Sequence, residues 1–357
     1  MEAGTNRSLR GAALLLTALA ALLAACGGSG ASPLPTPTET LELPTATSTV
    51  EPAAVDTPES APTVATTPGH CADPYPDGAP YTPAAGQPIR LRPTGAPPPL
   101  AAYTPAPMTE DPALREVVRR ALGAEAQHFS LVVKNLAGSR GVSISADRVF
   151  YAASLYKVWV MLEAFHQRDA GLLDFSEEYI VSDYYSSLGL NPSELEACSR
   201  TTVDHAMRRM MRVSDNVAAN MLLDRAGVAN TNAALRGLGL EVTGVSGGSL
   251  PTTAGGTAQL LEAIAAGQAV SPGASLEMIA LLASESITDR LPALLPPGTV
   301  VAHKTGNWEN ATHDAGIVVS PGASYLIAVL TDYGYQDDGA TPIARLSRAV
   351  YEYYNPE

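Results

Sequence analysis

The sequence contains little lysine and carries no motif for binding a metal or a nucleotide. Only Lys134, Lys157 and Lys304 are present, so 19 of the 22 basic residues are arginines. The six histidines form no HxH or HExxH cluster, and no GxxxxGK[ST] stretch occurs. We therefore expect neither a metal site nor a nucleotide cofactor. Because arginine is the usual cation in this chain, each position that keeps a lysine is informative.

Negative charge dominates the composition. The chain has 36 acidic residues against 22 basic ones, which gives a formal net charge of −14. An acidic surface repels the phosphates of a nucleic acid. Nucleic acids are therefore not expected among the partners of this protein.

One apolar run stands out, GAALLLTALAALLAA at residues 11–25, and it follows a short stretch that contains Arg7 and Arg10. It is shorter than the roughly 20 apolar residues that span a bilayer, and the pattern is typical of an export signal. The junction LAAC resembles the cleavage box of bacterial lipoproteins, which implies removal of residues 1–25 and lipidation of Cys26. We expect an exported protein, anchored in the membrane by this lipid and facing outside the cytoplasm. A single-pass anchor is the alternative.

Residues 26–108 are rich in Pro, Thr, Ser and Ala, and their few large apolar residues show no period. Such a segment buries too little surface to offset its chain entropy, so we predict a disordered linker. Its last part, from Cys71 to Met108, also contains Tyr75, Tyr81 and Tyr103 and is a candidate to wrap onto the folded domain. A disulfide between Cys71 and Cys198 would fasten it there, and two free thiols are the alternative.

Residues 109–357 carry the periodic patterns of a folded domain. Two strands, HFSLVVKNL and GVSISA, follow a capped helix that starts at Asp111 and Pro112. A block of helices comes next, then the strands TVVAHKTG, HDAGIVVS and SYLIAVLTDY, and a last helix. This order predicts an α+β fold, with an antiparallel sheet flanked by the terminal helices and an all-helical part beside it.

Ser154 and Lys157, in YAASLYKVWV, stand at positions i and i+3 of a helical turn, so both face the same side. A serine hydroxyl needs a neighbouring base to act as a nucleophile. A lysine can be that base once burial or nearby positive charge lowers its pKa, whereas arginine cannot. A polar turn at the start of an apolar helix is the alternative interpretation.

Two further motifs combine a hydroxyl with an amide or a cation. SDN contains Ser214 and Asn216 at a break between helices, where Ser214 could relay a proton and Asn216 could hold a carbonyl or a lysine. A plain helix cap is the alternative. KTG ends an apolar strand, where Lys304 and Thr305 could hold a carboxylate and Gly306 would let a substrate approach the backbone. A turn after a strand is the alternative.

Taken together, the order SxxK, SDN, KTG resembles the class A β-lactamase family of serine hydrolases. The 60 residues from Ser154 to Ser214 match the spacing in that family, and YAASLYKVWVMLEAF and VAHKTGNWENATHDAGIVV are also similar to it. The resemblance covers about Thr109 to Glu357 and implies a β-lactamase/transpeptidase-like fold. It also implies roles for residues of the motifs. These are the nucleophile Ser154, its base Lys157, the proton relay Ser214, the substrate amide Asn216, the carboxylate pair Lys304 and Thr305, and the oxyanion-hole N–H groups of Ser154 and Asn307.

The chain departs from the family pattern at one place. The ExxLN loop, whose glutamate activates the deacylating water in the β-lactamases, is missing. The stretch LRGLGLEVTGVSGGSLPTTAGG stands there, with Glu241 as its one carboxylate. Its GVSGG, which contains Ser246, matches the G-x-S-x-G pattern of α/β-hydrolases, but the strand and helix that this motif requires are not predicted. Glu241 is kept as a possible base, and Ser246 is not expected to be a nucleophile.

The predicted function is therefore opening of β-lactam amides through an acyl-enzyme on Ser154, with slow deacylation. Two alternatives remain, a DD-peptidase or esterase that acts on cell-wall material, and a penicillin- or muropeptide-binding lipoprotein without turnover. The expected partners are a small β-lactam or a cell-wall peptide, and the membrane lipid through Cys26. We expect a monomer.

Overall fold

The computed structural model of the protein describes Cys71 and residues 89–138, 140–188, 193–335 and 337–356. The predicted signal peptide, Cys26 and most of the linker lie outside these residues. Within the described part, no helix combines the length and the apolar character needed to cross a membrane.

The α+β fold predicted from the sequence is confirmed. Its main sheet has six strands in the order β1-β3-β2-β10-β9-β8, and only the pairing of β1 with β3 is parallel. Two small antiparallel sheets pair β4 with β7 and β5 with β6. The strands are β1 Thr109–Glu110, β2 Phe129–Asn135, β3 Arg140–Ile144, β4 Val149–Tyr151, β5 Glu178–Ile180, β6 Arg200–Thr202, β7 Pro251–Thr253, β8 Val300–Trp308, β9 Ala311–Val319 and β10 Ser324–Thr331.

The helices follow the predicted blocks. They are α1 Pro112–Leu122, α2 Tyr156–Asp169, α3 Asp183–Ser187, α4 Val203–Arg212, α5 Asn216–Ala226, α6 Val228–Gly237, α7 Ala254–Ala265, α8 Pro272–Ala283 and α9 Ala340–Tyr354. Helix α1 begins and ends where its capping residues predict, because the Asp111 side chain accepts a hydrogen bond from Leu114 N and Gly123 takes a positive φ.

The central strands separate two hydrophobic cores. Side chains of a strand alternate between its faces, so Leu131 and Val133 of β2 pack with α1 and α9, whereas Val132 packs on the other side. Because both faces are covered, β2 and β10 are buried over almost their whole length, and the terminal helices lie together on one face as the sequence predicts.

Helix α2 lies at the centre of the helical part and contacts α4, α5, α6 and α8. All its residues from Tyr156 to Gln167 are buried, so it has no polar face turned to solvent. The polar side chains that it buries must find partners inside the protein. Glu163, for example, accepts a hydrogen bond from Gln167 Nε2 and interacts with His166 Nδ1. The buried position of α2 is what takes Lys157 out of water.

Residues 89–108 form a strap across the domain. Leu91 and Tyr103 are buried, and Leu91 N donates to Tyr185 Oη at 2.8 Å. At the end of the strap, Ala106 O accepts a hydrogen bond from Lys134 Nζ at 2.6 Å. This part of the predicted linker therefore belongs to the folded unit, because Leu91 and Tyr103 supply apolar anchors that the preceding Pro/Thr-rich sequence lacks. Tyr75 and Tyr81 lie outside the described residues.

Cys71 and Cys198 form a disulfide with their Cα atoms 5.0 Å apart. Cys198 follows α3 on the helical side of the domain, so the disulfide fixes the chain ahead of the strap at that side. Asp183 lies near both sulfurs, and these three residues are the one metal-ligand-like grouping in the described part of the chain. Since a disulfide sulfur offers no thiolate, the grouping is not a metal site.

Candidate active site

Ser154 lies at a tight turn between a strand and the buried helix. Strand β4 ends at Tyr151, the short 3-10 helix Ala153–Leu155 follows, and α2 begins at Tyr156. Ala153 has a φ of +47°, a left-handed conformation that a residue with a side chain seldom adopts. A hydrogen bond of 2.7 Å from Ala152 N to Leu250 O holds the backbone just before this turn. The Ser154 hydroxyl is thus presented by a fixed backbone at the start of a helix.

Lys157 lies under Ser154 and is completely buried. Its Nζ is 3.1 Å from Ser154 Oγ and 2.9 Å from Ser214 Oγ. It also donates to Ser214 O at 2.5 Å and to Asn216 Oδ1 at 2.7 Å. Within the described residues, all four hydrogen-bond partners are neutral oxygens, so no carboxylate pairs directly with this amine.

The surroundings of Lys157 lower its pKa well below the ordinary value of 10.5. Burial is the main cause, because it penalises the charged ammonium. The positive charge of Lys304 lowers the pKa further, while Asp215 and Glu285 oppose the shift. A neutral Lys157 amine can accept the proton of Ser154, and this is what a serine nucleophile requires.

The SDN motif combines a helix cap, at Asp215, with two side chains that contact Lys157. Asp215 is the N-cap of α5 and accepts from Ala218 N at 3.1 Å. Ser214 takes a φ of +58° between α4 and α5, which directs both its carbonyl and its hydroxyl to Lys157. Asn216 opens α5 and contacts the same amine. Asp215 therefore shapes the break, and its two neighbours face the site.

The KTG motif lies on β8, which is at the edge of the main sheet and packs against the turn of Ser154. A Cβ at Gly306 would lie 3.0 Å from Ala152 O, so a larger residue would push the strand and the turn apart. The fold thus brings the turn that carries Ser154 against the strand that carries Gly306. The oxyanion hole of the Ser154 and Asn307 N–H groups stays a prediction.

Glu285, which the sequence analysis did not identify, accepts hydrogen bonds from the donor groups of Lys304 and Thr305 in the KTG motif. Lys304 Nζ donates to its Oε1 at 2.6 Å, and Thr305 Oγ1 donates to the same oxygen at 2.7 Å. Thr305 N donates to Oε2 at 2.9 Å. Burial raises the pKa of Glu285 and lowers that of Lys304, and the attraction between the two charges partly offsets both shifts. The one sequence signal was a carboxylate directly after the apolar helix α8.

These features agree with the comparisons to known proteins. The model of the beta-lactamase enzyme family matches residues 113–354. The chain belongs to this family. A β-lactamase of Bacteroides uniformis is 39% identical over 82 residues, a match that spans 20% of this chain and 28% of that relative. The extended-spectrum β-lactamase PER-1 of Pseudomonas aeruginosa is 25% identical over 232 residues, which cover 57% of this chain and 75% of PER-1.

Several solved structures share the fold. The structure of PBP-A superposes with a TM-score of 0.64 at 25% identity, covering 71% of this chain and all of that chain. A β-lactamase of Sphaerobacter thermophilus superposes with a TM-score of 0.61 at 21% identity, over 68% of this chain and 97% of that one. The resemblance to the class A β-lactamase family and the β-lactamase/transpeptidase-like fold are thereby confirmed.

The loop that replaces the ExxLN element of this family connects α6 to β7. Asn232 fastens it by two hydrogen bonds of 2.8 Å with the backbone of Val245. Glu241 is exposed and takes part in none of the contacts around Lys157 or Lys304 described above. Ser246 is also exposed, in a two-residue bridge with Ser249 instead of a strand-to-helix elbow. The structure therefore does not bring Ser246 to the site.

Two carboxylates do lie near Lys157, and both are already bound. Asp215 accepts from Ser193 Oγ at 2.6 Å and from Arg209 Nε at 3.1 Å, in addition to its capping bond. Glu285 accepts the three hydrogen bonds from Lys304 and Thr305. Each carboxylate thus uses three of its roughly four acceptor sites in these bonds, which leaves little capacity for a base that activates water.

The sequence analysis also assigned no role in the site to Arg290, to His303 on β8 or to His313 on β9. Buried Arg290 donates to Asn307 Oδ1 at 2.6 Å and to His313 O at 2.9 Å. His313 accepts from Thr331 N at 3.1 Å and contacts Tyr151 O at 3.0 Å, and burial lowers its pKa to about 4. His303 contacts Asp314 at 2.9 Å. These residues stiffen the strands behind the site, and no spacing in the sequence indicates their contacts.

Proposed function

We propose that this protein is a serine hydrolase that β-lactams acylate at Ser154 and that releases the acyl group slowly. The observation that carries the proposal is Lys157, a buried amine with depressed pKa that lies 3.1 Å from Ser154 Oγ without a carboxylate partner among the described residues. Membership of the β-lactamase family supports the hydrolase class.

In the proposed acylation, Ser154 Oγ bonds to the lactam carbonyl carbon while its proton passes to Lys157 Nζ. The backbone N–H groups of Ser154 and Asn307 face the oxyanion that forms. The C–N bond of the lactam then breaks, and its nitrogen receives the proton by way of Lys157 and Ser214 Oγ, which lie 2.9 Å apart. The opened ring stays attached, so the protein gains the whole mass of the β-lactam.

Release of the acyl group requires a water molecule and a base to take its proton. The loop at the position of ExxLN offers only Glu241, which is exposed, while Asp215 and Glu285 are held in other hydrogen bonds. Deacylation is therefore expected to be slow. A point mutant of PBP-A, which shares the fold, has been solved as an acyl-enzyme complex with penicillin-G, and this supports a covalent adduct as the form to look for.

The second candidate is a DD-peptidase or esterase that acts on cell-wall material, or a protein that binds penicillin or muropeptides without turnover. The missing ExxLN glutamate favours it over a fast β-lactamase, because the site then lacks the base that would activate a deacylating water. The PBP-A structure, which covers 71% of this chain at 25% identity, agrees with that alternative.

Intact-mass spectrometry after addition of benzylpenicillin tests the proposal. The wild-type protein is expected to gain the mass of one benzylpenicillin and to lose it over many minutes, whereas Ser154→Ala is expected to gain nothing while melting like the wild type. A persistent adduct would identify the binder without turnover. Rapid, sustained hydrolysis of a chromogenic cephalosporin would contradict slow deacylation, and a wild type that is folded but never labelled would contradict the β-lactam substrate.

A further inference from the structure

Glu285 fills the place that the family resemblance assigns to a substrate carboxylate. Its two oxygens accept from one ammonium, one hydroxyl and one backbone N–H, at 2.6, 2.7 and 2.9 Å. Lys304 and Thr305 are the very donors that would otherwise hold the ligand. All three residues are buried. A carboxylate held by a cation and two further donors has the same arrangement as a bound anionic ligand.

The other cations near the site do not replace Lys304 as an anion receptor. Arg290 directs its guanidinium to Asn307 Oδ1 and His313 O, at 2.6 and 2.9 Å. Lys157 is hydrogen-bonded to Ser154, Ser214 and Asn216. A second carboxylate entering here would share one buried ammonium with Glu285, and two close carboxylates repel each other strongly where water is excluded.

We propose that Glu285 sets the specificity of the site by occupying Lys304 and Thr305, so that acyl donors with an uncharged ester or amide at this position react better than donors with a carboxylate there. This inference rests on the proposed acylation of Ser154. It narrows the substrate class to neutral derivatives of β-lactams or of cell-wall peptides, and it makes Glu285 a specificity-determining residue.

A second buried pair of the same kind offers a matched control. Lys134 Nζ lies 2.7 Å from Glu262 Oε2, on strand β2 and helix α7. Strand β2 is three strands away from β8 in the main sheet. Glu262→Gln therefore removes a buried carboxylate from a lysine without touching the site, and it reports what loss of such a pair does by itself.

The experiment uses intact mass to measure the second-order rate constant of Ser154 acylation by benzylpenicillin and by its methyl ester. Each rate constant is divided by the rate constant for hydrolysis of the same compound by hydroxide, which corrects for its intrinsic reactivity. In the wild type, the ester is expected to react at least as fast as the acid. Glu285→Gln is expected to raise the acid's rate about tenfold or more relative to the ester's, a size measured for close charge pairs. Glu262→Gln is expected to leave the acid-to-ester ratio within about twofold of the wild type.

The two proposals fail in different ways. If the wild type reacts with the acid more than about tenfold faster than with the ester, the inference about Glu285 is overturned while acylation stands. The same holds if Glu285→Gln slows the acid, since Glu285 would then be positioning Lys304 to receive a carboxylate. The wild-type ratio decides the matter even if Glu285→Gln does not fold. If neither compound labels folded wild-type protein, both the proposed function and this inference are overturned.

Discussion

The three lysines of the chain show how the partner of a residue decides its chemistry. All three are buried, and Lys134 and Lys304 each contact a glutamate. Lys157 contacts neutral oxygens instead, within the described part of the chain. A buried ammonium that lacks a counter-ion gives up its proton most easily. The proposed base is therefore distinguished from the other two lysines by its surroundings and not by its residue type.

Replacement of Lys157 by arginine tests this argument. Arginine keeps its proton up to a pH above about 12, so it cannot take the proton of Ser154. We expect Lys157→Arg to slow acylation by on the order of 10²–10⁴-fold, the usual contribution of a general base. Lys134→Arg is the matched control and should stay within about threefold of the wild type, as expected for a site away from the chemistry. Acylation of Lys157→Arg within about tenfold of the wild-type rate would refute the assignment.

The pH profile of wild-type acylation gives an independent check. Because only the neutral amine accepts a proton, the rate should rise with pH and level off above the depressed pKa of Lys157, well before 10.5. The same shift affects stability. Between the folded and unfolded pKa values, the unfolded chain holds the Lys157 proton and the folded protein does not, so this residue makes stability rise with pH in that interval.

At the scale of elements, the starts of two helices and one edge strand of the main sheet create the site. Ser154 lies at the start of α2, Ser214 precedes the start of α5, and Lys304 lies on an edge strand. Side chains at a helix start or on an edge strand are less enclosed by neighbouring backbone and can meet side chains from other elements. The strap and the disulfide both attach the preceding chain to the helical part. Leu91 N donates a hydrogen bond to Tyr185, and the disulfide joins Cys71 to Cys198.

Removal of the disulfide should lower stability with little effect on chemistry. The bridge joins residues 127 positions apart and so limits the freedom of the unfolded chain. The double variant Cys71→Ala/Cys198→Ala is expected to lose about 2–4 kcal/mol of unfolding free energy, measured by urea denaturation. Its acylation rate should be unchanged, because Cys198 is not among the residues around Ser154. Equal stability of the variant and the wild type would contradict this role.

At the scale of the whole molecule, the proposal is a catalytic domain held at a membrane by a lipid on Cys26. The basis is the run at residues 11–25 and the LAAC junction. One myristoyl-sized chain gives only weak membrane binding, so stable anchoring needs more than one acyl chain.

Expression of the full chain in a bacterial host tests the anchor. The wild type should partition with membranes and incorporate a labelled fatty acid, and Cys26→Ser should do neither. Labelled penicillin should still react with Cys26→Ser, because Cys26 precedes both the strap at residues 89–108 and the domain that carries Ser154. Fatty-acid incorporation that persists in Cys26→Ser would contradict the anchor.

The sequence alone determined the order of elements, the α+β class and the three motifs. Helix and strand periods are local patterns. SxxK, SDN and KTG are short stretches, so they can be identified without knowing the fold. The caps at Asp111 and Asp215 belong to the same class of local signal, and the structure places both where the pattern predicts.

Only the tertiary structure decided which charges meet. Glu285 is 19 residues from Lys304 along the chain, and no spacing rule connects them. Arg290 reaches Asn307 and His313 in the same way, through packing of a loop on a strand edge. Electrostatic energies depend on distance and burial, which are properties of the folded molecule. The sequence thus predicted Ser154 and Lys157 as nucleophile and base, while the folded structure showed that Lys304 and Thr305, the predicted carboxylate-binding pair, contact Glu285.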